Sequence, residues 1–153
     1  MGKEMREQIN KVKNFSQFLN ENYTNISISV GDIYSESDIY PYIQKLHRNE
    51  DDFYDGDISD RIENFSKYQV AEIPINSINM DEYSLDDDYV EEYMGKYKEM
   101  GGKYPPIVLG YYDSRWGYDI IDGTHRANAL RDLGIKSIIC FVGLNKHQPE
   151  VPR

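Results

Sequence analysis

The chain has 153 residues, a formal net charge of −10, one cysteine and no apolar run of membrane-spanning length. That size buries a core without disulfides, and Cys140 has no partner to form one, so a reducing, cytoplasmic setting is expected and a membrane role is not. The charge is uneven: residues 1–100 hold 10 Lys+Arg against 22 Asp+Glu and residues 101–153 hold 7 against 5, so the acidic body disfavours duplex DNA and only the C-terminal third offers an anion a net attraction.

In chain order, Met5, Ile9, Val12, Phe15 and Leu19 recur at steps of three and four, which predicts an amphipathic helix over 3–20. Residues 22–34 read as irregular or weakly extended. A second helix is expected from Ser37 or Asp38, with Pro41 in its first turn and Tyr40, Ile43 and Leu46 inward. After an acidic stretch over 50–57, Ile58, Ile62 and Phe65 mark a short third helix. From Gln69 the texture changes. Val70 to Ile75 predicts a strand. Residues 85–100 predict an acidic helix with Tyr89, Tyr93, Tyr97 and Met100 on one side, ended by Gly101-Gly102. Pro105-Pro106 introduces a strand over 107–112. Asp113 to Arg115 turns it back into a hairpin strand over 116–121. A helix over 124–133 stops at Gly134, and 136–142 closes with a strand. The expectation is an α+β fold: a β-α-β-β-α-β core over 69–143, an N-terminal helical extension over 1–68 and a loose tail over 144–153.

Chemistry concentrates at Asp122-Gly123-Thr124-His125-Arg126, where a strand runs directly into a helix. The first amides of a helix have no internal acceptor, and its dipole favours negative charge. Gly123 lets backbone approach a ligand closely, His125 and Arg126 can donate to phosphate oxygens, and Thr124 or Asp122 can cap the helix. A Gly-led helix start alone is common; strand, Gly, His, Arg and an alanine-rich helix together point to an anion site, with phosphate as the anion.

Those residues carry a resemblance. Ile120 to Leu130, followed by Leu133-Gly134, resembles the Asp-Gly-x-His-Arg-x-x-Ala motif of the ParB/sulfiredoxin-like superfamily, with Val70 to Ile78 similar to its opening strand and Pro105 to Leu109 to its Pro-Ile-x-Val strand. The superfamily spans partition proteins, a sulfinic-acid reductase, free serine kinases and proteins described as ATPases or nucleases, so fold does not fix activity. The resemblance implies that Gly123, Thr124, His125 and Arg126 hold the phosphate of a nucleotide, ATP or CTP. Sulfiredoxin-like enzymes place a reactive Cys just before the His-Arg pair, where this chain has Thr124, and Cys140 reads as mid-strand packing. The downstream Arg motif and helix-turn-helix of partition proteins are not found in the 27 residues after Arg126. Sulfinic-acid reduction and chromosome partition are therefore not expected.

Kinase-like members carry an acid just after the opening strand, and Asp81 and Glu82 stand at a similar place. The expected enzyme is an NTP hydrolase or small-molecule phosphotransferase, with Glu82 and His125 catalytic and Mg²⁺ held by Asp81 and Asp122. Seven acids lie between Asp81 and Glu92, and a solvated helix start is the simpler account of such a cluster. Two other readings compete: a ParB-like nuclease or DNA-binding protein, and a non-catalytic phage or mobile-element protein that binds a host factor. Residues 1–68 would serve as lid, homodimer arm or partner surface.

Overall fold

The computed structural model describes residues 28–47, 55–80, 87–99 and 104–152. The helix expected over 3–20, the double glycine at 101–102 and the acids Asp81 and Glu82 lie outside them. Strand β1 (Ile33–Tyr34) leads to helices α1 (Glu36–His47) and α2 (Asp55–Glu63), then strand β2 (Lys67–Pro74), a single 3-10 turn (Ile75–Ser77) and strand β3 (Ile78–Asn79). Helix α3 (Asp87–Glu99), strands β4 (Ile107–Tyr111) and β5 (Tyr118–Asp122), helix α4 (Thr124–Asp132) and strand β6 (Ser137–Leu144) complete it. The order β2-α3-β4-β5-α4-β6 is the expected core; β1 and β3 are short additions at the sheet edges.

The sheet order is β1-β2-β6-β4-β5-β3. Strands β2 and β6 pair antiparallel from Lys67–Leu144 to Pro74–Ser137, β4 lies parallel to β6, and β5 returns antiparallel along β4. Side chains alternate across a strand, so a central strand with apolar residues at successive positions has two faces to cover. On one face Ile73, Leu109, Ile138, Cys140 and Val142 pack with Tyr97 of α3 and with Ala127 and Leu130 of α4. On the other, Val70, Val108, Ile121 and Phe141 pack with Ile39, Tyr42 and Ile43 of α1 and Ile62 of α2. The described part of the N-terminal extension is thus one layer of the fold. Of the expected inward residues Ile43 is fully buried and Tyr40 and Leu46 only partly so, while Ile39 and Tyr42 are fully buried as well.

Boundaries differ where local hydrogen bonding decides. Strand β2 starts at Lys67, because β6 extends to Leu144 opposite it. Trp116 belongs to the hairpin turn, since Asp113 Oδ1 accepts from the amides of Arg115 and Trp116 and Gly117 takes a positive φ. The tail is not loose as far as the described residues reach. Lys67 Nζ donates to the Pro149 carbonyl at 2.7 Å, the Val151 amide donates to Gln69 Oε1 at 2.6 Å, and Val151 packs on the core.

Three buried tyrosines use their polar ends. The Tyr42 hydroxyl donates to the Pro106 carbonyl and the Tyr68 hydroxyl to the Ile62 carbonyl, both at 2.7 Å, while the Tyr104 hydroxyl accepts from the Ile139 amide at 3.1 Å. Burial pushes the Tyr104 phenol from its ordinary value near 10 up to about 12, against the lowering effect of the Ile139 amide, and pushes Tyr68 up as well. An unfolded chain sheds these protons near pH 10 and the folded chain does not. Stability is therefore expected to hold up to about pH 10 and to fall as pH rises through the window to about 12. Urea midpoints measured alongside phenolate absorbance check this. Absorbance rising fully before unfolding would show that these phenols are accessible.

Candidate phosphate-binding turn

Strand β5 ends at Asp122 and α4 begins at Thr124, so a single residue, Gly123, makes the corner. Its φ of +111° lies in the left-handed region that side chains rarely adopt. A Cβ there would also stand 3.0 Å from Arg126 Nη2 and 3.1 Å from the Ile107 side chain. Neither Thr124 nor Asp122 caps the helix: Gly123 is the cap residue and brings no side-chain acceptor to the first amides. Thr124 is instead the first helical residue, and its carbonyl accepts from Asn128 Nδ2 at 2.8 Å.

The motif divides into an inner and an outer part. Asp122 and Arg126 point inward, 7% and 3% exposed, and pair at 3.2 Å. Arg126 Nη2 also donates to the Pro106 carbonyl at 3.2 Å, the same oxygen that takes the Tyr42 hydroxyl. The Arg126 Nε–H is buried and has no acceptor among the described residues. Burial on its own would lower the Arg126 pKa; the Asp122 carboxylate more than reverses that, and the guanidinium stays charged beneath the turn. Gly123, Thr124 and His125 form the outer part and are all partly exposed. Helix α3 packs on α4 and sets the Tyr89 ring beside the His125 imidazole, with centroids 5.4 Å apart.

The expected site residues are therefore only partly brought together. Gly123, Thr124 and His125 share one surface. Arg126 lies under that surface, and a direct grip on phosphate requires it to give up Asp122 or Pro106. Asp122 serves Arg126, so a metal-ligand role requires that ion pair to open. Asp81 and Glu82 lie outside the described residues. Among the described residues no group of three or more His, Cys, Asp or Glu could hold a metal ion, and no helix is long and apolar enough to cross a membrane. Cys140 is wholly buried in β6, and burial pushes its thiol pKa up, which disfavours the thiolate.

Sequence reasoning missed Pro106, Tyr42 and Tyr89 as neighbours of the turn. The double proline was legible only as a strand start, although a proline carbonyl accepts hydrogen bonds like any other. Tyr42 stands three residues beyond Ile39, a spacing that signals a shared helix face.

Three comparisons bear on this geometry. No curated protein matches the chain. Among solved structures, sulfiredoxin from Arabidopsis thaliana is similar at a TM-score of 0.43 and 26% identity, over 52% of this chain and 90% of that one. The sequence model of the ParB N-terminal domain matches residues 59–150, more than half of the chain and all of β2 to β6. With its Asp-Gly-Thr-His-Arg corner set between β5 and α4 of that region, the chain belongs to the ParB N-terminal domain family.

Proposed function

We propose that the chain binds a nucleoside polyphosphate at the corner Gly123-Thr124-His125 and hydrolyses it or passes a phosphoryl group to a small acceptor. The observation that carries the binding half is the left-handed Gly123, which turns β5 directly into the amide end of α4 above a buried guanidinium. There the first amides of α4 receive no side-chain cap and the helix dipole has its positive end, among residues that are partly exposed, a combination that favours phosphate. Because Asp122 neutralises Arg126, the attraction rests on the amides, the Thr124 hydroxyl and His125. Arg126 positions the corner from beneath.

His125→Ala is expected to weaken ATP or CTP binding about ten-fold or more, the value of a hydrogen bond to a charged group, without altering the fold. Thermal shift across nucleotide concentrations, with and without Mg²⁺, reads this directly, since a ligand of the native state raises Tm as RT ln(1 + [L]/Kd). Equal shifts for wild type and His125→Ala would sink the reading.

In the catalytic half, Glu82 is the general base, His125 neutralises developing charge, and Asp81 holds Mg²⁺, joined by Asp122 only where its ion pair with Arg126 opens. Glu82→Gln is expected to lower phosphate release by about a hundred-fold or more while nucleotide binding persists. Full turnover by that variant removes Glu82 from the reaction.

A further inference from the structure

We propose that Tyr89, exposed beside the corner at Gly123, is a nucleobase platform, so that the corner takes a nucleotide through its base as well as its phosphates. This rests on the phosphate reading of that corner and adds a second subsite to it. Tyr89 stands in the first turn of α3, and His125 in the first turn of α4. Their rings are tilted at 58° with centroids 5.4 Å apart, so His125 does not stack flat on the phenol. The side chain is 38% exposed, whereas Tyr97, eight residues on along the same helix, is 1% exposed, and Tyr93 between them is stacked on Tyr97 and packed against the core. The tyrosine stripe of α3 thus passes from core to surface, and its surface end lies against the phosphate corner.

An aromatic ring held beside a phosphate site meets the chemical requirement for a nucleotide. Every base has a π-face, and stacking on a tyrosine tolerates different bases. The subsite should therefore strengthen binding of nucleotides generally, with little choice between ATP and CTP. It should do nothing for a ligand that has phosphates and no base.

The experiment compares ATP with inorganic tripolyphosphate, both with Mg²⁺, by calorimetry on the full chain and on Tyr89→Ala, Tyr89→Phe and His125→Ala. Tyr89→Ala is expected to weaken ATP binding about 5- to 150-fold, the range that loss of one stacked base gives. Tripolyphosphate binding should stay unchanged, and Tyr89→Phe should restore ATP binding. His125→Ala should weaken both ligands. Tyr89→Ala leaving ATP binding intact, or weakening both ligands alike, overturns the platform while the phosphate reading stands. A wild type that binds neither ligand, or a His125→Ala variant that binds both as wild type does, overturns the phosphate reading and the platform with it.

Discussion

Arg126→Ala is expected to cost about 3–5 kcal/mol of folding stability, the typical loss when one partner of a buried ion pair is removed. The reason lies in what remains. Asp122 is 7% exposed at the end of β5, and without Arg126 its carboxylate is a buried charge that has lost its ion-pair partner. The Pro106 carbonyl loses one of its two donors and keeps only the Tyr42 hydroxyl. Asp122→Ala should cost a comparable amount, because it strands the guanidinium instead. Replacing both with apolar residues of similar size should recover most of the loss, since two desolvated charges disappear together. Urea unfolding of the two single variants and the double variant gives the coupling. A loss under about 1 kcal/mol for Arg126→Ala would mean the pair behaves as a solvated surface bridge. This result governs how the nucleotide reading can be tested. Arg126 is the conspicuous residue of the motif, yet its removal confounds binding with unfolding. His125, partly exposed and on the outer surface, separates the two.

From residue 67 onward most of the fold was legible, because the apolar pattern and the breakers agree there. Gly134 stops α4 and Asp113 makes the hairpin turn as their local chemistry requires. The corner was legible as well, since a strand running into a helix through glycine is a local event. The inward direction of Arg126 was not. Its spacing of four from Asp122 is plain in the sequence, but whether the two face each other or the solvent depends on the left-handed turn at Gly123. It also depends on partners brought from far along the chain, the Pro106 carbonyl and, beyond it, Tyr42. The docking of the tail on β2 was hidden for the same reason: it uses the Gln69 side chain and the Lys67 ammonium, more than eighty residues away in sequence. Polar residues in a C-terminal stretch carry no mark of the partner that will order them.

Periodicity alone says least about how residues before 69 meet the core, and Phe65 shows why. Its ring lies on a floor made by Gly110 of β4 and Gly143 of β6, which are paired across the two strands. A Cβ on Gly110 would overlap the ring, and one on Gly143 would stand 2.7 Å from it. Glycine inside a strand ordinarily weakens it, and here both mark the close approach of a neighbour. Tyr112 meets the same ring edge-on at 5.2 Å, and Tyr68 at 6.3 Å. Phe65→Ala is therefore expected to cost about 3–5 kcal/mol, through lost burial and the cavity left above two residues that have no side chains to fill it. Gly143→Ala should cost about 1–3 kcal/mol or more by overpacking, because the ring is hemmed in by two tyrosines and cannot step aside. In the double variant the new methyl enters the vacated space, so the combined loss should fall short of the sum of the singles by about 0.5–3 kcal/mol. A chain beginning at Gln69 would leave Val70, Val108, Ile121 and Phe141 without their cover and is expected not to unfold cooperatively. Strict additivity in the double variant, or a sharp urea transition for the chain starting at residue 69, would mean that the layer formed by α1, α2 and Phe65 is dispensable.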